Sequence, residues 1–545
     1  MARRAPRCAQ ARANMSECDC DVAIVGTGPT GLVLAHFLAQ AGVRTWLIEK
    51  ASSTVDEARA VSIDDESLRS LQTMGMLERF LPMLVQSYGV HYYSWRNRLF
   101  AKVEPTSTEY GHPKRNAFRQ QQLVALLREG LQAYPHVQLR FGHELVQFTQ
   151  SDAGVQLQVQ HQGQLQTMRC QWLVGCDGGR STVRQHLGIE WMGSTYAQQW
   201  LIADLIGRSS SFRHTRTYCD PQRPAIRLPG PQSTVRYEFM LKPGETAESV
   251  LSDSNVRAWI AQREPTDADL TILRKVVYTF HARIATNWRV NRVLLAGDAA
   301  HLTPPFAGQG MNSGVRDASN LAWKLAAVVH GQAQTSLLDT YQQERAPHAW
   351  SLIQMALRIG IYMQPRSVWG AALAQGLLGL ICLVPRFRDH VLHLKFKPKP
   401  RFQQGFFDPI QRPGAFIPAG QLLPQPRVEA FDGQRHWLDD IAGPGWALLQ
   451  WADAPALPML ALPGLTVIRL LRAEEDFLSP PSAAQMTVRD VQGVMQQVLN
   501  SAHAQAVLVR PDRYVLAYLD DQPESAHRLQ AVLHAHGMDN QSLKA

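Results

Sequence analysis

Residues 21–31 read Asp-Val-Ala-Ile-Val-Gly-Thr-Gly-Pro-Thr-Gly, an apolar run of strand length followed by glycines at the spacing GxGxxG. Leu34, Leu38 and Ala41 then follow at helical spacing, so the order is strand, tight turn, helix. In such a unit the glycines allow the turn, the approach of the backbone to a pyrophosphate and the close packing of the helix on the strand. We therefore predict a Rossmann-like dinucleotide site. Its predicted contacts are Val25, Gly26, Gly28, Pro29, Thr30 and Gly31.

A second predicted strand, residues 43–48, leads into Glu49 and Lys50. Glu49 lies 18 residues after Gly31, where a carboxylate accepts hydrogen bonds from the ribose hydroxyls of a dinucleotide. We expect both residues to contact the adenosine half of the ligand. The turn and this carboxylate do not by themselves distinguish FAD from NAD.

Two later segments repeat the pattern of apolar strand, turn and helix start. Residues 171–188 contain Asp177-Gly178, and residues 293–325 contain Gly297-Asp298 followed by the glycine-rich loop 304–312. The loop glycines let backbone amides approach a bound ligand near a helix N-terminus, which stabilises negative charge there. For the two aspartates, ligand contact and a structural role both stay open. Asp298 is suited to cap a helix, and Asp177 is suited to order its own turn.

Together these three segments resemble the class A flavin-dependent aromatic hydroxylases. The resemblance implies FAD as cofactor, with Asp298 on the ribityl chain and the loop after it beside the isoalloxazine ring. It also implies a fold like that of p-hydroxybenzoate hydroxylase, in which a β-rich substrate domain is inserted into the Rossmann-like FAD domain. The implied flavin-side residues are Asp177, Gly297, Asp298, Pro305, Gly308, Gly310, Met311 and Asn312.

Four shorter stretches resemble, more narrowly, the 3-(3-hydroxyphenyl)propionate and 3-hydroxycinnamate hydroxylases. They are residues 59–69, 115–120, 218–224 and 236–240. By position, Arg59 and Gln120 become flavin-side contacts, although Gln121 stands where proline is expected and puts the local helix start in doubt. The candidate substrate residues are Tyr218, Arg223, Arg236, Phe239 and Met240. Each is also explained by packing, because alternation along a strand buries half of its side chains.

The chain of 545 residues exceeds one ordinary core, so we expect several domains. The expected divisions are a disordered extension (1–17), a discontinuous FAD domain (18–85, 112–190 and 288–365), a substrate domain (86–111 and 191–287), a helical connector (366–404) and a C-terminal domain (405–545). Related hydroxylases carry a thioredoxin-like domain at this end. The strands expected there lie at 446–451, 465–471, 506–510 and 514–518, and the helices near 486–500 and 524–537. No cysteine follows Cys382, so this domain lacks a CxxC motif and cannot exchange thiols.

Composition narrows the class further. The net charge of +9 suits anionic ligands, but no Lys/Arg run tracks phosphates, so we do not expect nucleic acid as a partner. The seven cysteines are scattered and do not have the spacing of metal ligands, so we expect neither disulfides nor a metal site. This cysteine usage favours the cytoplasm. Residues 368–384 are apolar but too short to span a bilayer, so a packed or interfacial helix is expected, and a homodimer is left open.

The resemblance implies that NAD(P)H, either NADH or NADPH, reduces the flavin and that one atom of O2 enters the ring ortho to a phenol hydroxyl, as in aromatic catabolism. His301, beside Gly297-Asp298, is the titratable group that we consider for a proton role, with a structural role as its alternative. Two other functions stay open: hydroxylation of a larger phenolic such as a polyketide or a drug, and flavin binding without turnover.

Overall fold

The computed structural model describes residues 18–54, 59–207, 212–365, 367–455, 461–477 and 486–538, with the backbone alone for residues 196 and 197. The predicted disordered extension, residues 1–17, lies outside the described residues. The domain boundaries given above stay predictions.

The described strands are numbered in chain order. They are β1 (Cys20–Val25), β2 (Thr45–Glu49), β3 (Ser62–Ile63), β4 (Val85–Gln86), β5 (Val90–Ser94), β6 (Leu99–Val103), β7 (Asn116–Ala117), β8 (Val137–Phe141), β9 (His143–Ser151), β10 (Gly154–His161), β11 (Gln164–Gly175), β12 (Trp191–Ile206), β13 (Thr215–Cys219), β14 (Ala225–Pro229), β15 (Thr234–Met240), β16 (Thr271–Ala285), β17 (Arg289–Val290), β18 (Val293–Leu295), β19 (His301–Leu302), β20 (Arg427–Glu429), β21 (Arg435–Trp437), β22 (Ala447–Trp451), β23 (Thr466–Leu471), β24 (Met486–Arg489), β25 (Ala506–Val509) and β26 (Val515–Leu519).

The described α-helices are numbered in the same way. They are α1 (Pro29–Gln40), α2 (Asp65–Thr73), α3 (Leu77–Phe80), α4 (Gln120–Gly130), α5 (Thr182–His186), α6 (Ala247–Val250), α7 (Asp253–Arg263), α8 (Gly310–Val329), α9 (Asp339–Met363), α10 (Val368–Ile381), α11 (Pro385–Leu392), α12 (Leu438–Ala442), α13 (Val494–Ser501) and α14 (Pro523–His534). Short 3-10 turns include Gly297–Ala299 and Pro305–Ala307.

The nucleotide-binding sheet has the order β17-β18-β11-β1-β2-β8, with β9 and β10 as an antiparallel extension of β11. Strands β11, β1, β2 and β8 run parallel, and helices α1 and α8 pack together beside them. The strands of such a sheet are covered on both faces, which explains the continuous apolar run of β1. All six residues of β1 are buried. The Rossmann-like unit predicted from the first glycine-rich turn is confirmed.

A second, mostly antiparallel sheet has the order β19-β16-β12-β15-β14-β13-β5-β6. Its two faces pack into different cores. One face, including Tyr237 and Phe239 of β15, packs on α7 through Trp259. The other face, including Trp200 and Ile226, packs on Phe306 of the loop that precedes α8. This sheet is therefore the inserted β-rich layer, and it covers the carboxyl-end loops of the first sheet.

The C-terminal α/β unit is built on the sheet β21-β20-β24-β23-β22-β25-β26. One expectation for this unit is wrong: residues 486–489 form strand β24, parallel to β23, and the helix begins only at Val494. Thr487 and Val488 favour a strand. The left-handed Gly493 then separates this strand from α13. In the described residues, strands match the other expected positions and the thioredoxin-like fold class.

Buried ion pairs hold the C-terminal unit on the nucleotide-binding unit. Arg510 donates to Glu344 of α9 at 2.8 Å, and the same carboxylate accepts from Lys324 of α8 at 2.7 Å. Arg69 of α2 makes a second buried pair with Asp439, 2.6 Å apart. Removing one partner of such a pair leaves a buried charge without compensation, at a cost of about 3–5 kcal/mol. The two units are thus fixed in one arrangement around α8 and α9.

Helices α10 and α11 form the connector between the two units. Within the described residues, no single helix combines the length and apolarity that crossing a bilayer requires, and α10 with α11 passes only as a pair bent by 110°. Lys397, just after α11, lies 3.1 Å from Asp64 and 3.3 Å from Glu66 at the start of α2. This buried ion cluster fixes the far end of the connector.

Candidate active site

The glycines of the first turn hold β1, α1 and the turn after β11 at very short distances. Gly26 has φ of +105°, and a Cβ there would lie 2.5 Å from the carbonyl oxygen of Cys176. A Cβ on Gly31 would lie 2.2 Å from the carbonyl oxygen of Gly26. Gly28, by contrast, has open space around its Cα. The turn is therefore closed toward the protein and open where a pyrophosphate would approach the start of α1.

The end of β2 brings Glu49 to this turn. Its Oε2 accepts hydrogen bonds from the backbone N–H and the hydroxyl of Thr27, at 3.1 and 3.0 Å, and its Oε1 accepts from the N–H of Ala51. The carboxylate is thus held beside the turn and stays partly exposed, as a ribose ligand requires. Lys50 is exposed next to it.

The turn after β18 places Asp298 close to α1. A Cβ on Gly297 would lie 2.5 Å from the hydroxyl of Thr30, so only glycine lets this turn approach the helix so closely. The short helix that contains Asp298 has no side-chain cap, and no hydrogen bond to the Asp298 carboxylate is found among the described residues. Burial raises its pKa, and the positive charge of Arg59 opposes that shift. A carboxylate left without donors beside a nucleotide turn fits a ligand that supplies hydroxyl donors.

The Asn312 side chain holds the loop between β19 and α8 through hydrogen bonds to backbone groups. The Asn312 side chain is fully buried, donates to the carbonyls of Ser62 and Gly308, and accepts from the N–H of Asp64. This side chain therefore shapes the loop, and only its backbone is available to a ligand. Gly308 adopts the left-handed φ of +62° after the turn containing Pro305, Gly310 has open space, and Met311 packs against the core.

Asp177 and Gln120 both shape backbone in this region. Asp177 Oδ2 accepts from the N–H of Val183 at 3.1 Å, while its buried Oδ1 has no partner in the described residues. Burial raises the pKa of Asp177. Gln120, the first residue of α4, accepts through Oε1 from the N–H groups of Arg59 and Ala60. The helix thus begins at Gln120 without proline, and Gln120 positions the Arg59 segment.

A cavity of about 680 Å³ lies between the second sheet, the end of α9 and the inner face of α10. Its walls are mostly apolar, with Phe306 from the flavin-side loop and Met240 from β15. Gln198, Gln364 and Gln375 supply polar groups, and no charged side chain lines the cavity within the described part of the chain. Such a space suits an aromatic molecule with a few polar substituents.

Of the five candidate substrate residues, the structure places only Met240 in the cavity wall. Tyr218 and Phe239 are buried in the opposite core, where Phe239 stacks on Tyr237 with ring centroids 5.7 Å apart. Arg223 pairs with Glu245 at 2.5 Å and covers the Trp259 ring. Arg236 pairs with Asp204 at 2.6 Å and donates to the carbonyl of Arg59. These four residues have structural partners in place of cavity contact, and a substrate role for them stays a prediction.

Glu238, on the same strand as Arg236 and Met240, is a further candidate site residue that the sequence motifs did not indicate. It lies between Arg236 and Met240 on the same side of β15, directly opposite Ile202 and Ile226. Burial raises the pKa of Glu238 to about 7, with Asp204 adding to that shift and Arg236 opposing it. The signal available in sequence was the period of two that places Glu238 on the side of Met240.

His301 lies behind the flavin-side turn. Its ring is fully buried, with Nε2 2.6 Å from Asp317 Oδ2. The same Asp317 oxygen accepts from the N–H of Gly297 at 3.1 Å, and Arg345 holds the other oxygen. This geometry supports a positioning role for His301, and the proton role considered above stays untested.

Taken together, the donors and open spaces fit FAD. The turn at Gly28 offers backbone N–H groups to a pyrophosphate, Glu49 offers a carboxylate to the adenosine ribose, and Asp298 offers a carboxylate without donors of its own. The loop with Gly308 then lies between these groups and the cavity. An extended ligand with sugar, phosphate and flat-ring parts matches this order.

Comparisons with known proteins agree with this fit. A family model described as FAD binding domain matches residues 19–356, and one described as HcaD C-terminal domain matches residues 420–535. The chain is 36% identical over 512 residues to the 3-(3-hydroxy-phenyl)propionate/3-hydroxycinnamic acid hydroxylase of Escherichia coli (strain SMS-3-5 / SECEC), covering 91% of each chain.

Solved structures share the fold over nearly the whole chain. The flavin-dependent monooxygenase PieE, in complex with FAD and substrate, matches with a TM-score of 0.76 at 22% identity, covering 95% of this chain and 100% of that one. The OxyS anhydrotetracycline hydroxylase from Streptomyces rimosus matches with a TM-score of 0.73 at 25% identity, covering 95% and 99%.

Proposed function

This chain belongs to the family of FAD-dependent aromatic hydroxylases, and from that membership we propose its reaction. It is a monooxygenase that uses NAD(P)H and O2 to hydroxylate a phenolic acid ortho to the phenol group. The proposed substrate is 3-(3-hydroxyphenyl)propionate or 3-hydroxycinnamate, which the E. coli relative is named for. The observation that carries the proposal is the loop from Pro304 to Asn312, because it borders both the dinucleotide cradle and the apolar cavity.

FAD, when bound and reduced by NAD(P)H, would supply the activation of O2. The chain positions both reactants. Phe306 and Met240 would hold the aromatic ring in a mostly apolar space, which limits the contact of reactive species with water. Glu238 shares one side of β15 with Met240 but is not among the residues that line the cavity. It is our candidate for taking the phenol proton, because a carboxyl with a pKa of about 7 can exchange a proton near neutral pH.

The test is a panel of phenols scored by NAD(P)H consumption in air and by the mass of the product. We expect 3-(3-hydroxyphenyl)propionate to stimulate consumption and to gain one oxygen atom. If the purified protein is colourless and releases no flavin on denaturation, the proposal is contradicted. The same result would also exclude the alternative of a protein that binds flavin without turnover.

A second candidate is hydroxylation of a larger phenolic. It is favoured by the cavity of about 680 Å³, which has no charged lining residue in the described part of the chain to pair with a carboxylate. The matching anhydrotetracycline hydroxylase is named for such a substrate. Stimulation by bulky neutral phenols, without stimulation by phenylpropionates, would favour this candidate. We propose the cytoplasm as the location, because the cysteines in the described residues are free thiols. Light scattering would show whether the protein forms a homodimer.

A further inference from the structure

Helix α10 exposes an apolar face that no described part of the chain covers. Trp369, Leu373, Leu377 and Leu380 lie on one side of the helix and are 88%, 75%, 56% and 64% exposed. Beyond the bend, Leu383, Val384 and Phe387 continue this face onto α11. Single exposed apolar residues are ordinary, whereas a continuous group of this size marks an interaction site. We call these seven residues the connector face.

The opposite side of α10 is already used. Ala371 is buried, and Gln375 donates through Nε2 to the carbonyl of Cys219 at 2.8 Å. Ala374 and Leu378 line the cavity beside them. The inner side therefore forms a wall of the active site. On the outer side, Leu373 and Leu377 border an open groove of about 310 Å³, whereas Trp369 and Leu380 line neither space and stay exposed.

The segment of the sequence that carries the connector face is rich in positive charge. Residues 361–400 contain six Lys and Arg (366, 386, 388, 395, 397 and 399) and one acidic residue, Asp389, which gives 6 − 1 = +5 of the whole chain's +9. Arg386 and Arg388 are exposed on α11 next to Phe387. More than half of the formal net charge thus lies in this segment of the sequence. Lys397 is paired with Asp64 and Glu66, so the positive charge that the structure places beside the connector face is that of Arg386 and Arg388.

We propose that the connector face docks the enzyme on an anionic phospholipid surface. The apolar side chains would enter the interface, with Trp369 at its level, while Arg386 and Arg388 meet the phosphates. This arrangement is peripheral, since Lys397 is fixed in the ion cluster with Asp64 and Glu66 and α10 meets α11 at 110°. Docking would place the outer wall of the cavity against lipid, where apolar aromatic compounds concentrate.

A second copy of the chain fits this face less well. Most dimers are symmetric and bring the same surface of each subunit together. Such a contact would place two sets of Arg386 and Arg388 near each other, with Asp389 as the acidic residue available in each segment. Like charges at an interface oppose association, whereas an anionic lipid surface neutralises them.

The experiment is co-sedimentation of the FAD-bound protein with vesicles of phosphatidylcholine, either pure or mixed with phosphatidylglycerol. We expect binding to the mixed vesicles that is at least about tenfold tighter than to the pure ones and that weakens with salt. Two variants separate the contributions. Leu373→Ser combined with Leu377→Ser should weaken binding at least about tenfold. Arg386→Gln combined with Arg388→Gln should remove most of the preference for the anionic lipid.

The matched control is Leu165→Ser combined with Leu273→Ser, which removes two exposed leucines outside the connector face. This control should bind like the unmodified protein, and flavin absorbance and the melting temperature report folding for all variants. Absence of binding to mixed vesicles at low salt overturns the proposal. So does a dimer, seen by light scattering, that the Leu373 and Leu377 variant converts to monomer without any vesicle binding. Neither result depends on turnover, so both are independent of the proposed reaction.

Discussion

The nucleotide turn and strand β15 border the same site, but they act through different parts of the chain. In the turn, backbone distance decides: a Cβ on Gly31 would lie 2.2 Å from a carbonyl oxygen. On β15, side-chain alternation decides: Met240 faces the cavity, while its neighbour Phe239 packs in the opposite core. A cofactor site can therefore be recognised from glycine spacing, whereas substrate contacts depend on which side of a strand each residue takes.

The largest effect should come from adding one methyl group to the turn. We expect Gly31→Ala to lose FAD and to lower the free energy of unfolding by about 3 kcal/mol, because the contact is with backbone, which yields little. Bound flavin per protein after gel filtration and urea unfolding measure the two losses.

The control for this change is Gly379→Ala in α10, where a Cβ meets nothing within 4 Å. It should keep FAD and stabilise the helix by up to about 1 kcal/mol. If Gly31→Ala retains stoichiometric FAD and full stability, the close approach of α1 to β1 is not what limits the turn.

The next effect concerns Asp298, for which ligand contact and helix capping make opposite predictions. We expect Asp298→Ala to weaken FAD binding by about 10- to 100-fold, the loss of a hydrogen bond to a charged group. Stability of the flavin-free protein should be unchanged or higher, because the carboxylate has no hydrogen bond among the described residues and burial disfavours its charge.

Asp177→Ala is the matched change in the other turn. Asp177 accepts from the N–H of Val183, so its removal should cost about 1 kcal/mol of stability even without FAD. An Asp298 variant that keeps its FAD affinity but melts earlier would show that Asp298 is a cap.

How much the sequence predicts follows from the same contrast. Gly26 was predicted to allow the turn and Gly31 to let the helix pack closely on the strand, and the structure shows both backbones in close contact. Gly297 was selected only as a flavin-side residue, and its close approach to Thr30 is seen in the structure alone. Strand and helix order also followed from apolar period. The positions of these glycines in the structure do not by themselves test whether they contact the ligand, so the ligand contacts stay predictions.

The rest required three dimensions. Phe239 and Arg236 were selected as substrate residues from a short motif, but they have partners in Tyr237 and Asp204 that are close only in the folded sheet. Residues 486–489 form a strand because β23 lies beside them, which a helical reading of the window ignores. The pKa of Glu238 depends on how deeply its side chain is buried in the folded protein, which the sequence does not show.

The effect of pH should report the burial of Glu238 on β15. Burial raises the pKa of Glu238 from 4.5 to about 7, so the folded protein holds this proton more tightly than the unfolded chain. Its contribution to the free energy of unfolding should therefore fall by roughly 3 kcal/mol as pH rises from about 4.5 to about 7. Burial also raises the pKa of Asp65 to about 7, which adds a slope of the same sign, so the share of Glu238 is the difference between the unmodified protein and its Glu238→Gln variant.

Glu238→Gln should remove the share of this dependence that Glu238 contributes, and it should also remove a step near pH 7 from the profile of kcat/KM. Glu144→Gln, at an exposed position of β9, is the control and should leave both profiles unchanged. Loss of the stability slope without any change in the kinetic profile would make Glu238 a buried acid without a proton role.

The smallest effect should separate the two sides of β15 at adjacent residues. Met240→Leu nearly conserves volume, so we expect KM for the phenol to change about threefold while stability changes by less than about 1.5 kcal/mol. Phe239→Leu removes part of a ring buried against Tyr237 and Trp259, so it should cost about 1–2 kcal/mol of stability and leave KM unchanged. Steady-state kinetics and urea unfolding on both variants give the four numbers. Because the two residues are neighbours, a general disturbance of the strand would move KM in both variants. A change of KM only in the Phe239 variant would reverse the assignment of the two sides.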